Sequence, residues 1–260
     1  MTRIAVLLLA VIASAAAAAK GPGDSSVASV MSAIDEYRTN NEVTIIEDFI
    51  ELLSIPNVAS SIPDMERNAA HIAGLLEPRG FKVRRLSAGA APYVYAELLT
   101  PGAAETILIY AHFDGQPVME ENWAYPPFTP TLLDASLQSG GRPVDVGQVD
   151  SSPGPEWRLY ARSAGDDKMP VVALVHTLDA MAANGIELSV NLKLLLDGEE
   201  ERGSPTVGRI IDENRDLFDA DLFLFCDGPM HQSRRTQLVF GVRGSTTVDI
   251  TTYGATRPLH

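Results

Sequence analysis

Three short apolar runs in this chain each stop abruptly at acidic or imidazole side chains, and no other feature constrains the fold as strongly. Thr106 to Ala111 leads into His112-Phe113-Asp114, Val190 to Leu196 into Asp197-Gly198-Glu199-Glu200-Glu201, and Leu222 to Cys226 into Asp227. Runs of this length, rich in Ile, Leu and Phe, read as strands buried on both faces. Tyr93 to Leu98 is a fourth. Helical stretches lie around them. Residues from Val27 to Leu53 place Ile45, Ile46, Phe49, Ile50 and Leu53 on one side, and Pro56 ends the run. Met65 to Leu76 stops before Pro78-Arg79-Gly80, and Val171 to Ala183 ends at Asn184-Gly185. Strands alternating with helices predict an α/β domain with a mixed, largely parallel sheet flanked by helices.

In open α/β sheets, ligands bind in the crevice at the carboxyl ends of the strands. A further segment, Arg158 to Ala161, leads through small residues to Asp166-Asp167 just ahead of a helix. If these strands are parallel neighbours, four clusters of acids and one histidine share a rim. Carboxylates gathered there repel one another without a cation, so a divalent metal centre is the natural expectation. Each cluster alone has a plainer reading: a hydrogen-bonded histidine, a solvated glutamate run, a helix cap at Asp166-Asp167, and an ordinary turn at Asp227-Gly228-Pro229. Their coincidence at successive strand ends favours the metal.

Composition narrows the rest. Of 260 residues, 45% are hydrophobic and 21% charged, which excludes disorder and fibrous architecture. The formal net charge of −14 works against a nucleic-acid partner, since binding needs basic side chains to neutralise phosphates. One cysteine allows neither an internal disulfide nor a Cys-rich zinc finger. Residues 1–19 carry Arg3, an apolar core from Ile4 to Ile12 and a run of alanines, the layout of a signal peptide cleaved near Ala19. The alternative, a membrane anchor, needs more apolar length to cross about 30 Å of hydrocarbon. The expectation is an exported, soluble protein, periplasmic or secreted. A Gly/Ser/Pro linker covers Lys20 to Ser26.

The stretches YAHFDGQPV (Tyr110 to Val118), RLYARSAGDDK (Arg158 to Lys168), LDGEEERGS (Leu196 to Ser204) and Cys226-Asp227-Gly228 together resemble the clan MH exopeptidases and deacylases that carry two zinc ions. That family includes carnosine dipeptidase, glutamate carboxypeptidase, aminoacylase and succinyl-diaminopimelate desuccinylase. SIPNVAS (Ser54 to Ser60), Trp123 to Phe128 and FGVRG (Phe240 to Gly244) add to the resemblance. The paired-aspartate-lysine form is that of the dipeptidase branch. By position, the resemblance implies that His112 and Asp227 bind one zinc, Asp166 bridges two, Glu201 binds the second and Glu200 is the general base. Asp114 is then the carboxylate that holds and polarises His112. Cobalt or manganese also suits such N/O ligation. The implied reaction is hydrolysis of an amide bond in a small peptide or N-acyl amino acid, a non-catalytic peptide- or metal-binding module being the alternative. A homodimer is implied for the full-length protein. In a regular strand Cys226 points away from the face that Asp227 uses, so it is expected in the core.

The chain also departs from the family pattern. Ala161, Ser163 and Met169 stand where glycines are usual, and Glu199 adds a third carboxylate beside the proposed base, either solvated or shifting its neighbours' pKa. Residues 20–238 read as the catalytic domain, and 239–260 as the beginning of an inserted α+β lid whose first strand covers Val239 to Thr252. Leu259-His260 matches the start of the lid's Leu-His-Ser-Gly motif, which makes His260 the expected oxyanion-stabilising histidine. The resemblance places a further metal-binding histidine beyond residue 260. The chain is therefore expected to be an N-terminal fragment without activity of its own.

Overall fold

The computed structural model describes residues 27–148, 153–235, 237–244 and 246–257. The expected signal peptide, the linker and His260 lie outside the described residues. Helices α1 (Val27–Asn40) and α2 (Glu42–Leu53) occupy the stretch expected as one helix. Asn41 separates them at φ −122°, ψ 16°, where its backbone N–H and its side-chain amide both donate to the Tyr37 carbonyl. A short amide side chain that competes for backbone carbonyls interrupts a helix in this way. Helix α3 (Ile62–Leu76) starts three residues earlier than expected, and α4 (Met169–Ala183) two residues earlier; each has a proline in its first turn, where the missing N–H costs nothing. A short helix, α5 (Val207–Glu213), was not anticipated.

The strands are β1 (Lys82–Leu86), β2 (Tyr93–Leu98), β3 (Thr106–His112), β4 (Thr131–Leu133), β5 (Arg158–Tyr160), β6 (Asn191–Asp197) and β7 (Leu222–Phe225). Five form one mixed sheet in the spatial order β1-β2-β6-β3-β7. Strand β2 is antiparallel to both neighbours, whereas β6, β3 and β7 run parallel. The register sets His112 opposite Asp197, and Tyr110 opposite both Leu195 and Phe225. Three carboxyl ends therefore share one rim.

The segment from Arg158 to Ala161 does not reach that rim as a strand. Arg158–Tyr160 pairs antiparallel with β4 in a separate two-stranded sheet. Its three residues are only half-buried and too few to join a central ladder, so the loop behind them does the positioning instead. No helix or strand occurs among the described residues from 239 to 252, where a lid strand was expected. Phe240, Val242 and Ile250 stand exposed there.

Side chains alternate across the sheet, as the pleat demands. Ile107, Ile109, Ala111, Leu192, Leu194 and Leu196 join the main core with the buried faces of α2, α3 and α4. Leu108, Tyr110 and Leu195 turn the other way and pack with Tyr93 and Ile210. Leu196 is buried on a central strand, so Leu196→Ala is expected to cost about 2–5 kcal/mol, the range for truncation that leaves a cavity. Urea denaturation should show a lower midpoint with an unchanged slope.

Candidate metal centre

His112, the last residue of β3, is wholly buried. Its Nε2 lies 2.8 Å from Asp166 Oδ1, 3.8 Å from Asp227 Oδ2 and 3.9 Å from Glu200 Oε2. Its Nδ1 lies 3.3 Å from Asp114 Oδ1. Ligand atoms of His112, Asp166 and Asp227 all fall within 4.8 Å of one another. Asp227 arrives because the Cys226 N–H donates to the Tyr110 carbonyl at 2.8 Å, which extends the β3–β7 ladder beyond Phe225. Cys226 itself packs against the main core, and burial pushes its thiol up to about 12, consistent with a packing role.

Asp166 is delivered by the loop after β5. The Arg162 N–H donates to the Pro127 carbonyl at 2.7 Å. Ser163 adopts φ 62°, a left-handed position that favours glycine, and two contacts of its hydroxyl offset the strain. That oxygen accepts from Asn57 Nδ2 at 2.8 Å and donates to the Asp114 carbonyl at 3.3 Å. Lys168 is wholly buried, and its Nζ donates to the Leu52 and Ile55 carbonyls at 2.9 Å each, tying the loop to the end of α2. Burial lowers this amine to about 7. The Asp166–Asp167 peptide is cis, and Asp167 is buried where it accepts the His112 N–H at 3.3 Å.

Glu200 and Glu201 follow β6 on a tight loop. A Cβ on Gly198 would meet the Pro92 carbonyl oxygen at 2.3 Å, so only glycine allows the loop to approach β2 this closely. The N–H groups of Glu200 and Glu201 donate to the two oxygens of Asp114, each at 3.1 Å. One buried carboxylate thus holds the histidine and aims the glutamate loop. The Glu201 carboxylate is not part of the convergent group; it accepts from Gln116 Nε2 at 2.7 Å. Glu199 is not solvated. It is wholly buried, with Oε2 accepting from the hydroxyls of Tyr93 (3.1 Å) and Thr206. Sequence reasoning assigned no role to Asp167, Lys168 or Gln116. The Asp-Asp-Lys triplet was visible, but it was read only as the mark of the dipeptidase branch, with no contact assigned to its second aspartate or its lysine.

Burial opposes a charge on His112, yet the carboxylates of Asp114, Asp167 and Asp166 outweigh it and raise the imidazole to about 10. Burial and neighbouring acids raise both Glu200 and Asp227, although His112 pulls each down. Among the described residues, no lysine or arginine forms an ion pair with Asp114, Asp166, Asp227, Glu200 or Glu201. One nitrogen and several oxygens converging with no lysine or arginine among them suit a divalent ion of the zinc, cobalt or manganese type. Because a ligating imidazole must be neutral, metal binding at Nε2 is expected to release the proton that His112 carries at pH 7. Affinity for cobalt(II) should therefore climb with pH between about 6 and 9, by up to about tenfold per unit. A pH-independent titration would contradict the assignment of His112.

A model of peptidase family M20/M25/M40 matches residues 108–260. The chain is 26% identical over 224 residues to the Cys-Gly metallodipeptidase dug1 of Schizosaccharomyces pombe, covering 80% of this chain and 43% of that protein. It is 28% identical over 157 residues to the Beta-Ala-His dipeptidase of Mus musculus, covering 59% and 27%. Among solved structures, the M20 family metallo-carboxypeptidase Sso-CP2 from Sulfolobus solfataricus superposes with a TM-score of 0.59 at 27% identity, covering 74% of this chain and 39% of that one. The chain thus spans less than half the length of each of these relatives.

Proposed function

Because the chain belongs to peptidase family M20/M25/M40, we propose that it supplies the catalytic unit of a metal-dependent hydrolase acting on dipeptides or N-acyl amino acids. The observation that carries this reading is the convergence of His112, Asp166 and Asp227 with Glu200 beside them. His112 and Asp227 would hold one zinc, Asp166 would be shared with a second, and Glu201 would exchange Gln116 for that second ion; cobalt or manganese could serve in their place. When bound, such ions act as Lewis acids and bring the pKa of water down toward about 7.

Glu200 takes the proton of the attacking water and returns it to the leaving amine. Burial raises its carboxyl above the ordinary glutamate value, the direction that favours a general base. Asp114 Oδ1, 3.3 Å from His112 Nδ1, favours the tautomer that carries its proton on that nitrogen, and through two backbone amides Asp114 keeps Glu200 facing the histidine. Names of the relatives, a Cys-Gly and a Beta-Ala-His dipeptidase, support a dipeptide as substrate. Residues 20–238 form the catalytic domain in this reading, and 239–260 open a lid that brings His260 to the oxyanion and supports a homodimer. The exposed apolar residues Phe240, Val242 and Ile250 support such a continuation. Residues 1–19 direct export to the periplasm or the medium. Among the described residues, no helix is long and apolar enough to cross a membrane.

The test is hydrolysis by the full-length protein of Cys-Gly and β-Ala-His, set against N-acetyl and N-succinyl amino acids, before and after chelation. Chelator-sensitive cleavage of dipeptides, restored by zinc, cobalt or manganese, is the expected result. Preference for the acylated amino acids would make the protein a deacylase of the same fold. Stoichiometric metal without turnover on any substrate would leave a binding module and overturn the proposal.

A further inference from the structure

Asp114 is not the only acid that holds the glutamate loop. On the sheet face opposite α2, α3 and α4, Asp197 and Glu199 are both wholly buried. Asp197 accepts the Glu199 N–H at 2.7 Å, the Ser204 hydroxyl at 2.6 Å and the Tyr110 hydroxyl at 3.1 Å. Glu199 accepts the Tyr93 and Thr206 hydroxyls on Oε2, while its Oε1 is buried with no hydrogen-bond partner among the described residues. Neither acid forms an ion pair with a lysine or arginine among those residues. A carboxylate in such surroundings is costly, and filling the space requires no charge. Its backbone is equally committed: the Glu199 carbonyl accepts the N–H of Arg202 at 3.0 Å and of Ser204 at 2.9 Å, closing the turn that contains Glu200 and Glu201.

Resting on the hydrolase reading above, we propose that Glu199 is a positioning residue for Glu200 and Glu201. Its carboxylate ties Tyr93 on β2 to Thr206 at the start of α5. Both flanks of the turn are thereby fixed, and its two following side chains are presented at set places toward the substrate amide and the second cation. The residue touches neither substrate nor metal and acts through its neighbours.

The experiment uses the full-length protein, cobalt(II) as the metal probe, and the variants Glu199→Gln and Tyr93→Phe. For Glu199→Gln, the first cobalt equivalent should bind as in the wild type, because His112, Asp166 and Asp227 sit on other elements. The second should weaken about 10–100-fold, as is typical when a partner supporting a ligand is lost, and kcat on Cys-Gly should fall about as much with KM within threefold. Tyr93→Phe removes one hydroxyl donor and leaves the carboxylate, so it should shift the same two quantities in the same direction by less, and it carries the test if Glu199→Gln does not fold. Two cobalt equivalents weakening together alongside a lower Tm would make Glu199 a packing residue and overturn the proposal. So would wild-type cobalt binding and kcat in both variants. A wild-type protein that binds no cobalt at all would instead remove the hydrolase reading on which this one rests.

Discussion

Glu200→Gln is expected to lower kcat by about 10²–10⁴-fold, the usual contribution of a positioned general base, while KM and metal content stay near wild type. That loss corresponds to roughly 3–5 kcal/mol of transition-state stabilisation. The backbone N–H of residue 200 still reaches Asp114 in the variant, so the loop keeps its anchor and only proton transfer is lost. Glutamine matches the shape and remains polar, which separates the chemistry from packing. Steady-state kinetics with metal analysis on the same preparations provide the check. Unchanged kcat would remove Glu200 from the base role and leave the convergent residues without an assigned proton acceptor.

Asp114→Ala is expected to damage both stability and metal binding. The side chain is wholly buried, accepts the amides of Glu200 and Glu201, and lies 3.3 Å from His112 Nδ1. Each buried donor left without an acceptor costs about 1–3 kcal/mol. Loss of the carboxylate that orients a ligating histidine typically lowers metal affinity or activity about 10–100-fold. Thermal melts of metal-free protein read the first effect, and cobalt titration reads the second. Asp114→Asn keeps one acceptor oxygen and should fall between wild type and alanine in both. A variant with unchanged melting and unchanged cobalt affinity would make the contacts to Asp114 incidental.

The parallel strands were legible because each is a mostly apolar run, and the antiparallel strand Tyr93–Leu98 matched its expected bounds. Strand β1 (Lys-Val-Arg-Arg-Leu) was not, because this edge strand carries charge at its exposed positions, whereas β7, at the other edge, was read as buried on both faces but leaves Leu222, Phe223 and Phe225 exposed. Arg158–Tyr160 looked like another strand of the same sheet, but membership depends on partners distant in the chain, and its three residues found β4 instead. Within the site, His112, Asp166 and Asp227 could be read because each closely follows an apolar run or precedes a helix. Glu201 was assigned to the second zinc by resemblance alone; in the structure its carboxylate accepts from Gln116, a side-chain direction that no spacing in the sequence sets. Glu199 defied the sequence pattern most directly. A run of three glutamates ordinarily faces solvent, but here the chain passes close to Pro92 at Gly198 and the first glutamate turns inward to accept from Tyr93 and Thr206.

Anomalous diffraction recorded at the zinc edge from crystals of the zinc-loaded protein tests the convergence most directly. A peak about 2.0–2.2 Å from His112 Nε2 and from carboxylate oxygens of Asp166 and Asp227 is the predicted result. Zinc bound stoichiometrically at any other group of side chains, with these three left uncoordinated, would contradict it.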